Sequence, residues 1–231
     1  MPDPDEVIRR LMEEEGADEL LACAELEQDP LFHKIPKGRI AYYVSMSLKR
    51  GRETAAGYKN KGKSIRELCQ MEGLQYQVTN RSGTFHNVSF RAQIDFAKSP
   101  PAIIIYASSL RDMRQAYRTV IGNGCEEREQ ELERLIDLHL AHEFFHYTEY
   151  RAGQFTNETL EPIDMFKLGS WYTKRSSIVK CSEIAAHAFC KTILDLPCLP
   201  NALDYAFLVE TRVMDAAELS RRVEQWKMMV V

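Results

Sequence analysis

Apolar residues recur along this chain with two different periods, and the switches between them mark its elements. Val7, Ile8, Leu11 and Met12, then Leu20, Leu21 and Ala24, keep the spacing of a helix over residues 4 to 28. Gly16 is a point where that run can divide, and Asp29-Pro30 ends it. After the turn Pro36-Lys37-Gly38, the residues Ile40, Tyr43, Val44 and Leu48 predict a helix from Arg39 to about Ala56. Ser64 and Glu67 form a capping-box pair ahead of a short helix, Ile65 to Met71, that Gly73 closes.

The period then drops to two. Residues 74–78 and 88–94 alternate apolar and polar around the turn Asn80-Arg81-Ser82-Gly83, as half-buried strands do. Residues 102–106, Ala-Ile-Ile-Ile-Tyr, form a continuous apolar strand, so the prediction is a small, mainly antiparallel sheet of about three strands. Helical spacing returns from Leu110 to Ile121. It returns again from an acidic start (Glu126, Glu127, Glu129, Glu131), suited to the positive end of a helix dipole, and runs through Leu132, Leu135 and Ile136 to Gly153. Residues 154 to 176 read as loop or broken helix, Ile178 to Leu194 as a helix, and Pro200 to Trp226 as a C-terminal helical segment. The fold class is α+β. Residues 1–60 read as an N-terminal helical region or subdomain ahead of a domain over 61–231.

Composition changes this picture little: 231 residues, 45% hydrophobic and 28% charged, suit an ordinary globular core. A net charge of −4 supplies no global basic field, so direct nucleic-acid binding is not expected. The basic run Lys49, Arg50, Arg52, Lys59, Lys61 and Lys63 reads as a solvated helix end and loop. The start, Met-Pro-Asp-Pro-Asp, lacks the features of a signal peptide, and no apolar run approaches the length of a membrane span. The expectation is a cytoplasmic protein with no membrane partner. The six cysteines show no C-x-x-C pair and read as reduced, mostly buried thiols.

The chemistry concentrates at His142-Glu143-Phe144-Phe145-His146. On a helix, residues four apart share a face, so both imidazoles can bind one metal ion, with Glu143 beside them as general base. Zinc commonly takes histidine and carboxylate ligands and keeps one position open in catalytic sites. A metzincin continuation would need Gly at 149 and His at 152, where Glu149 and Ala152 stand. Glu183, on a predicted helix 37 residues after His146, can complete a His-His-Glu set. Ala185, Ala186 and Ala188 would let the two helices approach closely. This two-helix arrangement is the gluzincin pattern.

His187, one turn after Glu183, is expected to orient a metal-bound histidine, with direct ligation or simple burial as the other readings. Tyr172, between the two helices, is the candidate oxyanion donor by position, against a packing role. His139 reads as a satisfied packing histidine and Glu149 as solvent-facing. Cys181 reads as a buried thiol rather than an inhibitory thiolate. His33 and His86 carry no assignment.

The order short helix, strand pair, apolar strand, H-E-x-x-H helix and then Glu183-Ile184-Ala185-Ala186-His187-Ala188-Phe189 resembles the ImmA/IrrE-like metallopeptidases, over roughly residues 64 to 197. Members carry a similar E-x-x-A-N-x-F-A element. Here His187 replaces the family's Asn, Cys190 its Ala, and Phe145 the Gly before the second motif His. The resemblance implies a zincin-like fold with helices around the small sheet, and one zinc ion on His142, His146 and Glu183. It further implies hydrolysis of a protein or peptide substrate such as a transcriptional repressor. Residues 102–106 resemble the family's edge strand, along which an extended peptide could pair. The alternative is a zinc-containing regulatory or binding protein that holds a partner without cutting it; an intact Glu143 argues against it.

Overall fold

The computed structural model describes residues 4–81, 83–85, 88–122, 127–168 and 172–230. It is a mixed α+β fold in which helices dominate. In chain order the first half holds α1 (Pro4–Glu13), α2 (Ala17–Leu26), α3 (Ile40–Lys59), α4 (Ile65–Met71), β1 (Gln75–Thr79), β2 (Thr84–Phe85), β3 (Val88–Ser89), β4 (Ala92–Asp95) and β5 (Ala102–Tyr106). The second half holds α5 (Ala107–Asp112), α6 (Arg114–Val120), α7 (Arg128–Ala152), α8 (Thr156–Thr159), β6 (Ile163–Leu168), β7 (Tyr172–Ser176), α9 (Lys180–Ile193), α10 (Ala202–Glu210) and α11 (Ala216–Val230). Among the described residues no helix is long and apolar enough to cross a membrane.

Gly16 divides the first helical run as its position suggested, with a left-handed φ of 76° that a side chain would disfavour. Ser64 and Glu67 make the predicted reciprocal capping box on α4. Gly153, at φ 60°, ends α7 where the sequence placed its stop. The helix expected over 110–121 starts earlier and divides at Met113, and the C-terminal segment divides between α10 and α11.

The sheet departs from the expectation in two ways. Its order is β1-β5-β4, with β1 parallel and β4 antiparallel to β5, so it is mixed rather than mainly antiparallel. Residues 102–106 therefore form the central strand and not an edge. The apolar run explains this: Ile103 and Ile105 are fully buried, and a strand with neighbours on both sides suits continuous apolar sequence. The edge beside α7 is β4. The strand expected over 88–94 is broken between β3 and β4.

The segment 154–176, read as loop or broken helix, has more structure than that among its described residues. They contain α8 and the antiparallel hairpin β6–β7, whose alternation Ile163-Asp164-Met165 was present in the sequence.

The two motif helices pack face to face through Phe144, Phe145 and Phe189, with ring centroids 6.0 and 5.6 Å apart for the two pairs made by Phe189. The small residues of α9 do not all serve that contact. Gly51 of α3 lies against α9 so closely that a Cβ there would stand 2.1 Å from the Ala185 carbonyl oxygen and 2.8 Å from the Ala188 Cβ. Thus α9 sits between α3 and α7. Leu21, Tyr43 and Leu48 belong to the same buried cluster as Ile184 and Phe189. Several residues of the basic run pair within the chain: Lys49 with Glu53, Arg52 with Asp18, Lys59 with Asp195, Lys61 with Glu72 and Lys63 with Glu67.

Candidate metal centre

The helical period of α7 and its packing on α9 bring three of the predicted residues together. His142 Nε2 lies 3.2 Å from His146 Nε2 and 3.2 Å from Glu183 Oε2, and His146 Nε2 lies 3.5 Å from Glu183 Oε1. A tetrahedral zinc ion with bonds of about 2.1 Å needs ligand atoms separated by about 3.4 Å. The two imidazole nitrogens, and the Glu183 oxygen facing each of them, lie near that spacing and carry the right chemistry, two imidazole nitrogens and a carboxylate. Among the described residues they are the group of His, Cys, Asp and Glu side chains that could hold a metal ion. Cys181 is not in it; its thiol is fully buried, and burial pushes its pKa up to about 12.

Electrostatics follow the same geometry. Burial would raise the Glu183 carboxyl, but the hydrogen bond from His142 and the charges of His142, His146 and His187 hold it well below the usual carboxylate range. Burial would lower His146; the hydrogen bond to Glu149 and the nearby carboxylates of Glu183 and Glu143 reverse that, so it is raised. Glu143 is also raised, chiefly by burial, against the lowering effect of His142 and His146. The Ile94 backbone on β4 lies close enough to lower it in part.

The orientation of β4 follows from strand pairing. Tyr106 N–H donates to the Arg91 carbonyl at 2.8 Å, and Ala92 and Ile94 stand opposite Ile105 and Ile103. Main-chain groups alternate along an antiparallel strand, so those of Ala92 and Ile94 point away from β5. They face α7, against which Phe96 also packs by stacking on Tyr150 at 4.4 Å. The free edge of β4 thus runs beside the motif helix.

A cavity of 640 Å³ opens on this cluster. Its wall includes His142, Glu143 and Glu183, together with Phe90, Arg91 and Ala92 at the start of β4. Met113, Leu138, Leu203, Leu208 and Met214 add apolar surface, and Glu25, Lys180, Tyr205 and Arg222 add polar surface.

The remaining assignments divide. His187 lies behind His142, with ring centroids 5.1 Å apart, and its Nε2 stands 3.7 Å from Glu25 Oε2. Glu25 comes from α2 and no sequence motif announced it. Burial would raise its carboxyl, yet His187 and the Lys180 ammonium at 2.6 Å hold it at about 2. His139 is not a satisfied packing histidine: its Nε2 is shut from solvent with no hydrogen-bond partner, and burial drives its pKa well down. The α7 turn places the ring in the cavity wall, where no polar neighbour reaches that nitrogen.

Glu149 is not solvent-facing. It is 2% exposed, because α8 and α9 cover that side of α7, and it stands 3.4 Å from His146 Nδ1. The signal was available, since i and i+3 share a helix face. Tyr172 opens β7, and its side chain lies outside the described residues, as does His86. His33 lies in a short 3-10 turn and is exposed.

No protein-family model, curated protein or solved structure matches this chain. The likeness to ImmA/IrrE-like metallopeptidases rests on the motif residues and the order of elements around them.

Proposed function

We propose that this protein is a zinc-dependent metallopeptidase of gluzincin type, with His142, His146 and Glu183 as metal ligands and Glu143 as general base. The observation that carries the reading is that the Nε2 atoms of His142 and His146 lie 3.2 Å apart, each within 3.5 Å of a Glu183 oxygen, with the half-buried Glu143 carboxyl one residue from the first histidine. A zinc ion bound there supplies Lewis acidity, polarising a carbonyl and bringing the pKa of a bound water to about 7.

The chain's own residues do the rest. Glu143 takes a proton from the attacking water and delivers it to the leaving amine. Glu143 stands in the cavity wall between the start of β4 and the metal ligands. An extended peptide entering the cavity can pair with the outward main-chain groups of Ala92 and the Ile94 carbonyl, which would hold the scissile bond beside Glu143. The substrate is therefore a protein or peptide; a repressor as substrate rests on the family resemblance only.

The test compares the wild type with Glu143→Gln for zinc content and for cleavage of a mixed proteome-derived peptide pool. About one zinc should bind to each protein. Cleavage should fall by on the order of 10²- to 10⁴-fold in the variant. Equal behaviour of the two proteins on the whole pool would overturn the hydrolase reading in favour of a zinc protein that binds without cutting.

A further inference from the structure

Behind His146 lies a carboxylate that the proposed chemistry does not itself use. Glu149 Oε2 stands 3.4 Å from His146 Nδ1, on the side of the ring away from the ligand cluster. Its other oxygen, Oε1, accepts from the Thr156 N–H at 2.6 Å and the Thr156 hydroxyl at 2.5 Å, and the Ser182 hydroxyl lies 3.2 Å away. Thr156 is 0% exposed and Ser182 8%, so water does not substitute for these contacts. A buried carboxylate is tolerated only when donors surround it. Both sides of Glu149 therefore call for donors, and the donor on the His146 side is the Nδ1–H.

Two consequences follow. With its proton on Nδ1, neutral His146 keeps the Nε2 lone pair free, and Nε2 is the atom that faces His142 and Glu183. Ser182 immediately precedes Glu183, so the same carboxylate links α7 to the residue next to the third ligand. Asn157 joins α8 to the same hydroxyl by donating its backbone N–H to the Ser182 oxygen at 3.4 Å.

We propose that Glu149 is a positioning residue that presets the metal centre: it fixes the His146 tautomer and locks the Glu183 helix in register with the two histidines. The proposal rests on the reading of the cluster as a metal site. Histidine ligands backed by a carboxylate bind metal more tightly, and loss of such a partner costs about 10- to 100-fold in affinity.

Glu149→Gln is the informative change because it keeps size and most hydrogen bonds. The donors around Oε1 would hold the amide oxygen there, which turns the amide NH₂ toward His146. That donor favours a bare Nδ1 and moves the ring proton to Nε2, the metal-facing nitrogen.

The experiment measures two things. Long-range ¹H–¹⁵N correlation spectra of the metal-free protein at pH 9 report the His146 tautomer, and zinc competition against a chromophoric chelator reports affinity. The wild type should show Nδ1–H, and the variant should show Nε2–H with zinc bound about 10- to 100-fold more weakly. A purely structural role for Glu149 would leave the variant's tautomer unchanged. An Nε2–H tautomer in the wild type, or unchanged zinc affinity in the variant, overturns the proposal. Should Glu149→Gln fail to fold, the wild-type tautomer still decides the first half. Ser182→Ala, which should weaken zinc by a smaller factor, then decides the second, and unchanged affinity there removes the helix lock. A wild type that binds no zinc but shows Nδ1–H would defeat the metal reading while leaving the tautomer assignment standing.

Discussion

The two sides of the His142–His146–Glu183 cluster differ in how completely their polar atoms are satisfied. On the side of α8, Glu149 meets Thr156 twice, Ser182 once and His146 once, with all contacts at 3.4 Å or less. On the cavity side, His139 Nε2 and His187 Nδ1 are shut from solvent without a partner. Buried polar atoms are ordinarily paired, and unpaired ones collect where a protein does something other than stay folded. One side is scaffold, saturated and closed. The other is a wall in which buried polar atoms beside a cavity are left incomplete.

The change that should break this contrast most forcefully is removal of the proposed third ligand. A structural zinc site of four ligands is worth on the order of 10–16 kcal/mol, so one ligand corresponds to about 3–4 kcal/mol. Glu183→Ala should weaken zinc binding by on the order of 100- to 1000-fold in a chelator competition, while His187→Ala stays within about threefold of wild type. The reverse ranking would make His187 the ligand.

Stability changes sharpen the comparison at smaller scale, and they should have opposite signs. Thr156→Val removes a hydroxyl from the saturated side and leaves Glu149 short of a donor; urea denaturation should show a loss of about 2 kcal/mol. His139→Leu removes an unpaired buried nitrogen from the cavity side and should stabilise the protein by about 1 kcal/mol. Equal losses in both variants would mean that the two sides are built alike.

How legible all this was in the sequence follows the range of the interactions. The spacing of His142 and His146 is local, and one helical period carries it onto a single face. Ser64–Glu67 and the glycine stops at Gly16 and Gly153 were equally local, and they stand where the pattern put them. Glu149 was misread because a helix face is exposed only if nothing covers it. Its cover, Thr156 and the start of α8, lay in a segment read as loop or broken helix, with no sign of what it packs against. Glu25 was missed because it enters from α2, and no pattern in either segment announces their meeting. The sheet order depended on which strand the chain inserts between two others. The apolar character of Ile103 to Ile105 on both faces already pointed to the centre, although the family likeness suggested an edge.

The most direct test of the central claim is X-ray absorption at the zinc edge on wild-type protein loaded with one equivalent of zinc. The account predicts nitrogen and oxygen ligands at about 2.0–2.2 Å with the outer-shell scattering of two imidazoles, unchanged in Glu143→Gln. A sulfur ligand at about 2.3 Å, or failure to retain one zinc after dialysis, would contradict it.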